Sequence, residues 1–156
     1  MRIDLNLVPV ETGTTYPNQF SSMVEGRSRQ RIGKATGLKN FGVNLTTLAP
    51  GSQSALRHWH DLQDEFVYVV EGELMLITDE GEQVLKPGDM VGFAAGVPNG
   101  HHLINRSARP ATYLEIGDRT TPEQAHYPDH DLICNVSATG PQYLHRDGQP
   151  YDAIET

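Results

Sequence analysis

From Phe41 to Gly117 the chain reads as short apolar or alternating segments, broken at close intervals by turn residues, and this spacing restricts the folds open to it. Candidate strands are 41–47, 55–60, 65–70, 73–78, 82–86, 90–93, 100–105 and 111–117. Their separators are Pro50-Gly51, Glu71-Gly72, Asp79-Glu80-Gly81, Pro87-Gly88-Asp89 and Ala95-Gly96, where glycine or proline supplies turn geometry. No amphipathic helix fits between them, so the expectation is an all-β antiparallel sandwich or barrel. Residues 1–40 are mixed, with Gly13, Pro17, Gly26, Gly33 and Gly37 and no helical period. Residues 118–156 turn polar and carry Pro122, Pro128, Pro141 and Pro150. They read as a tail draped over the barrel. The 156 residues suffice for one core, so a single domain is expected: an arm over 1–40, a barrel over about 41–117 and the tail. There are no internal repeats.

Within that pattern sits a cluster of metal-binding residue types. His58 and His60 flank Trp59 in the run RHWH. Alternate strand residues face one side, so both imidazoles point the same way from backbones roughly 7 Å apart. Two side chains can bridge that gap to one ion at metal–nitrogen distances of about 2.0–2.1 Å. The loop Asp61–Asp64 leads to Glu65, which can fold back beside them, and His101 lies on the strand that starts at Gly100. A lone His-x-His says little, because histidines often pair on a polar face. Three neutral imidazoles and a carboxylate together suit one divalent transition metal (manganese, iron, nickel, cobalt or zinc) and do not suit calcium or magnesium. Four protein ligands on an octahedral ion leave two positions open.

The spacing Gly51, six residues, His58-x-His60, four residues, Glu65, six residues, Gly72 closely resembles the first motif of the cupin superfamily. Gly88, the turn Ala94-Ala95-Gly96, and His101 followed after three residues by Asn105 resemble its second motif. The chain departs from that motif in two ways. Ala94 stands where proline is usual, and two extra residues lie between Gly96 and His101. The resemblance implies an antiparallel double-stranded β-helix, often dimeric, with a metal inside the barrel mouth held by His58, His60, Glu65 and His101. Spacing back from Asn105 selects His101 over His102, and adjacent strand residues face opposite sides. Spacing from Gly96 fits neither histidine; with His101 as ligand, His102 points outward or toward a partner, and His102 is the alternative ligand.

The superfamily includes isomerases, epimerases, lyases, decarboxylases, dioxygenases, storage proteins and ligand-sensing regulators, so the fold alone does not name a reaction. The leading expectation is a metalloenzyme using Lewis-acid chemistry of the isomerase or lyase type on a small polar metabolite, in the manner of a sugar or sugar-phosphate isomerase. The alternatives are an iron-dependent dioxygenase and a metal- or ligand-binding module without turnover. Tyr113 and Glu115 share one face of the last barrel strand; if that face is inward, Glu115 is a candidate catalytic general base. Arg27, Arg29 and Arg31 alternate and read first as a solvated basic edge, second as an anion site. Asn105 is expected to cap a turn, and Trp59 to pack between sheets or at a dimer interface.

Composition narrows the partners. Apolar residues make up 37% and charged residues 21%, the balance of an ordinary globular protein. A formal charge of −8 argues against nucleic acid and anionic membranes, and no helix-turn-helix pattern precedes the barrel. MRIDLNLVPV lacks the apolar run of a signal peptide, no stretch approaches a membrane span, and Cys134 is the only cysteine, so a cytoplasmic location is expected. The Asn-x-Ser/Thr triplets at Asn44, Asn105 and Asn135 are then chance matches. A homodimer through sheet edges is expected, covering Trp59 and Phe66.

Overall fold

A computed structural model describes residues 2–152; Met1 and 153–156, the ends of the expected domain, lie outside the described residues. The strands are β1 (Val10–Thr12), β2 (Arg27–Gln30), β3 (Phe41–Leu48), β4 (Trp59–His60), β5 (Glu65–Glu71), β6 (Leu74–Thr78), β7 (Gly81–Leu85), β8 (Met90–Phe93), β9 (His102–Ile104), β10 (Ala111–Asp118), β11 (Glu123–Tyr127), β12 (Leu132–Ser137) and β13 (Gly140–Leu144). Short helices α1 (Asn18–Ser21) and α2 (Ile32–Ala35) lie in the N-terminal arm.

One wall is a six-stranded sheet in the order β1-β2-β3-β10-β5-β8, with every pair antiparallel. The other combines β7-β6-β9 with β13-β12-β11-β4. These two pieces are stitched by antiparallel bridges between His58 and His101 and between Gln53 and Ile104. The walls face each other across a core of Leu48, Val67, Val69, Ala111 and Tyr113 from the first and Leu74, Leu76, Leu85 and Leu103 from the second. Inward residues recur at every second position, as in Val67/Val69, Leu74/Leu76 and Ala111/Tyr113, which is the two-residue period of a half-buried strand. Burying each such apolar side chain contributes about 1.5–3 kcal/mol. This is the antiparallel double-stranded β-helix.

Turn residues behave as their chemistry requires. Gly72 has φ +80°, and a Cβ there would come within 2.7 Å of the Ala111 Cα, so only glycine fits between β5 and β6. Asn105 is fully buried and caps its turn: its Nδ2 donates to the Leu48 and Arg109 carbonyls at 2.9 and 2.7 Å, and its Oδ1 accepts from Ser107.

Both flanks are more ordered than their composition implies. β1 and β2 extend the first wall beyond β3. The stretch read as a draped tail contains β11–β13, a meander that continues the second wall next to β4. Its prolines bracket strands instead of preventing them. Pro122 precedes β11, Pro128 follows it, and Pro141 sits on β13, an edge strand where a missing N–H is tolerated. Ala125, Tyr127, Leu132 and Cys134 from this meander pack with Tyr16, Phe20, Val24 and Leu56 into a second core. Trp59 stacks on His126 of β11, ring centroids 4.1 Å apart and planes within 13°, so its outer face is covered by its own chain.

Candidate metal centre and cavity

The walls bring His58, His60, Glu65 and His101 together. His58 and His60 alternate on the segment entering β4, Glu65 opens β5, and His101 is bridged directly to His58 through mutual backbone hydrogen bonds of 2.9 and 3.1 Å. Glu65 Oε2 is the focus: His101 Nε2 lies 2.7 Å from it, and the Nε2 atoms of His58 and His60 each lie 3.5 Å away. His58, His60 and Glu65 offer donor atoms within 4.8 Å of one another.

The far side of each ring is committed. His58 Nδ1 is 2.7 Å from the Leu56 carbonyl, His101 Nδ1 is 3.4 Å from the Asn99 carbonyl, and His60 Nδ1 is 3.2 Å from Glu123 Oε1. Each Nδ1 faces an acceptor that can hold its proton once an ion takes the Nε2 lone pair; with no ion bound, the Nε2–H groups donate to Glu65 instead. The first is the tautomer arrangement that imidazole ligands to a metal require. The donor set fits a divalent transition ion.

Electrostatics agree with a cation-seeking site. Burial alone would raise the Glu65 carboxyl, but hydrogen bonds from the three imidazoles hold it well below the usual carboxylate range. Burial opposes charge on His60 too, yet Glu65 and Glu123 raise its pKa above the ordinary histidine value. His101 is lowered, because burial there outweighs the attraction of Glu65. Phe93 stacks on the His101 ring at 3.6 Å and 4°, which fixes its plane.

Glu123 is the site residue that sequence reasoning missed. Its side chain is fully buried, and besides His60 it accepts from the backbone N–H groups of Asp61 and Leu62 at 3.0 and 2.8 Å. The available signal was its place in the period-two series Glu123, Ala125, Tyr127, whose other members are apolar. His102 stands apart from the cluster, its Nδ1 2.9 Å from the Ala55 carbonyl.

A cavity of about 360 Å³ opens beside the cluster, lined among others by Glu65, Tyr113, Glu115 and Arg27, Arg29 and Arg31. The reading of these arginines as a solvated edge is therefore corrected for Arg27 and Arg29, while Arg31, beyond the end of β2, is exposed. β2 is shielded by β1 and turns its arginine face inward, burying Arg27 to 6% exposure. Arg27 donates to the Ser54 and Gly13 carbonyls at 2.5 and 3.1 Å. The open parity of the last barrel strand resolves inward: Tyr113 is buried, and Glu115 faces the cavity, accepting from Asn44 Nδ2 at 3.1 Å and lying 3.5 Å from an Arg29 terminal nitrogen. Arg57 is committed elsewhere, to Asp129, Asp79 and the Gly100 carbonyl.

The double-stranded β-helix thus brings three imidazoles and a carboxylate together beside a cavity, a donor set that could hold a metal ion. The cupin-domain family model matches residues 44–117, and the chain belongs to the cupin superfamily. A sugar phosphate isomerase of that superfamily from Silicibacter pomeroyi is 45% identical, with a TM-score of 0.94 over 98% of each chain. A protein of Acidithiobacillus ferrooxidans, provisionally named a sugar phosphate isomerase, is 26% identical with a TM-score of 0.72, over 78% of this chain and 77% of that one. The polyketide cyclase RemF from Streptomyces resistomycificus shares the fold at 18% identity and a TM-score of 0.64, over 79% and 82%. Among curated proteins, none matches the chain. Among the described residues no helix is long and apolar enough to cross a membrane.

Proposed function

We propose that this protein is a metal-dependent isomerase of a small sugar-type metabolite, a sugar phosphate by analogy with its relative from Silicibacter pomeroyi. The observation that carries the reading is the convergence of three imidazole Nε2 atoms on Glu65 Oε2 at the edge of a polar cavity of about 360 Å³. His58, His60, Glu65 and His101 would hold one divalent transition ion, manganese, iron, nickel, cobalt or zinc, which supplies Lewis acidity toward neighbouring oxygens of the substrate. Glu123, the Leu56 carbonyl and the Asn99 carbonyl orient the rings. Glu115 is the general base: it takes the proton from the hydroxyl-bearing carbon next to the carbonyl and returns it to the former carbonyl carbon, the hydroxyl proton passing to the former carbonyl oxygen, while Arg29 and Asn44 fix the carboxylate. The polar, arginine-lined cavity favours this reading over an iron-dependent dioxygenase, which needs a mostly apolar pocket. A binding module without turnover has no use for an inward carboxylate beside the centre.

The same reading includes a homodimer. The outer face of the six-stranded sheet leaves Phe41, Phe66, Val70 and Met90 exposed, and β8 is an open edge; a second copy would cover both.

The test is hydrogen exchange into aldose and ketose phosphates in D2O, followed by NMR with metal-loaded protein. Exchange and interconversion that vanish on chelation and return with one particular ion are expected. Turnover by metal-free protein, or none across the panel with loaded protein, would refute the proposal.

A further inference from the structure

Three buried side-chain atoms lack a hydrogen-bond partner among the described residues: Arg29 Nε, Thr46 Oγ1 and Tyr113 Oη. They are not scattered. Arg29 on β2 is the cross-strand partner of Thr46 on β3, and Thr46 is the partner of Tyr113 on β10, so all three stand on one lateral row of the first wall. Cross-strand neighbours of this kind have Cβ atoms about 4.5–5.5 Å apart. Arg29 and Tyr113 both line the cavity. Thr46 is wholly buried and Tyr113 is 1% exposed. Ser54 approaches the Tyr113 hydroxyl but not in hydrogen-bonding geometry. A buried polar atom without a partner is rare in a folded protein, because it forfeits its hydration for nothing, and three on one row form a set that a polar ligand or ordered water would satisfy.

The neighbouring arginines are already engaged. Arg27 is bonded to two carbonyls, and Arg31 pairs with Glu11 at 2.6 Å. Arg29 gives one terminal nitrogen to Glu115 at 3.5 Å and keeps Nε free. The row thus offers one guanidinium N–H and two hydroxyls able to donate, which is a donor set for an oxyanion. Arg27, next along the inward face of β2, adds a positive charge that offsets Glu115.

We propose that Arg29, Thr46 and Tyr113 form an oxyanion subsite that anchors the phosphate or carboxylate end of the substrate, at a distance from the histidine cluster. Tyr113 pairs with Val69 on β5, four residues along the strand from Glu65, or roughly 13 Å at the backbone. With side chains reaching in from both ends, a substrate a few carbon atoms long spans the two. The proposal rests on the isomerase reading for its choice of substrate end, but not for the existence of the subsite.

The test is calorimetric titration of the full chain, as purified and after chelation, with inorganic phosphate and separately with acetate. One of the two anions should bind one to one in chelated protein, phosphate pointing to a sugar phosphate and acetate to a sugar acid. Arg29→Gln should weaken that binding by roughly tenfold or more, and the near-isosteric Tyr113→Phe and Thr46→Val by roughly threefold to tenfold each. Circular dichroism confirms that the variants fold, and an unchanged metal stoichiometry in Tyr113→Phe confirms that the histidine centre is untouched. Absence of binding by either anion at tens of millimolar overturns the proposal, as does equal affinity in all three variants. So does a rise in Tm of Tyr113→Phe and Thr46→Val that is the same with and without anion, since the row would then hold water alone. Loss of the subsite with turnover intact would leave the isomerase reading standing; anion binding without any turnover would do the reverse.

Discussion

Replacing Glu123 by glutamine separates the orientation of a ligand from its identity. The Glu123 carboxylate accepts three hydrogen bonds in a fully buried position: Oε1 from Asp61 N–H at 3.0 Å and from His60 Nδ1 at 3.2 Å, and Oε2 from Leu62 N–H at 2.8 Å. An amide keeps one acceptor. Its better placement leaves the carbonyl toward Asp61 and His60 and turns the NH2 against the Leu62 N–H, which orphans a buried donor at about 1–3 kcal/mol. The two retained bonds lose their charge assistance as well, so the total is roughly 2–4 kcal/mol, a fall in Tm of roughly 4–16 °C for a chain of this size. Metal affinity should fall about 10–100-fold, the usual cost of losing a carboxylate behind a ligating histidine. The pH dependence has a definite sign. Glu65 and Glu123 raise the His60 pKa, so protons compete with metal for His60 from a higher pH than for an ordinary histidine. Removing the Glu123 charge lowers that pKa, which partly relieves the competition in acid. The deficit of Glu123→Gln should therefore be largest near pH 8, where only orientation matters, and smaller near pH 6. Metal titration by calorimetry at both values, beside thermal unfolding, reads all three quantities. Equal metal affinity at pH 8 in variant and parent would refute the claim that Glu123 positions His60.

Three further outcomes follow from the structure. Burial pushes the Cys134 thiol up to about 11, so it stays protonated at pH 8 and native protein should resist thiol reagents that label unfolded protein at once. Because its folded pKa lies above the ordinary thiol value, stability should also decline as pH rises from about 8.5 toward 11, and rapid native labelling would contradict both statements. His102→Ala should bind as much metal as the parent, since its ring is held at the Ala55 carbonyl; if it loses metal, His102 belongs to the centre. Light scattering at micromolar concentration should show a dimer that Phe66→Asp dissociates, and a stable monomer in the parent would count against the sheet-face interface.

The barrel was legible because its turns are chemically explicit. Gly72 and Asn105 occupy positions that the turn geometry reserves for them, and the histidine and glutamate spacing placed the four donors on strands that do converge. What escaped was the parity of polar strands. In Arg27–Gln30 every residue is polar, so no hydrophobic alternation tells inside from outside; that is decided by β1 on one side and β3 on the other. In β10 the usual rule is inverted over part of its length, with Leu114 and Ile116 on the outer face while Glu115 turns inward to a cavity that must be polar. The C-terminal meander was hidden by prolines that lie at strand ends and on an edge, and Glu123 was hidden with it. A buried carboxylate becomes intelligible only when the His60 ring and two backbone N–H groups are seen around it.

The central claim is that one transition ion is held jointly by His58, His60, Glu65 and His101, and anomalous diffraction tests it most directly. Crystals grown from protein loaded with manganese, iron, cobalt, nickel or zinc, measured across the corresponding absorption edge, should show a single peak per chain. That peak should lie about 2.0–2.2 Å from the three Nε2 atoms and one Glu65 carboxylate oxygen. A peak at some other group of residues, or none at this cluster after loading at saturating metal, would contradict the account.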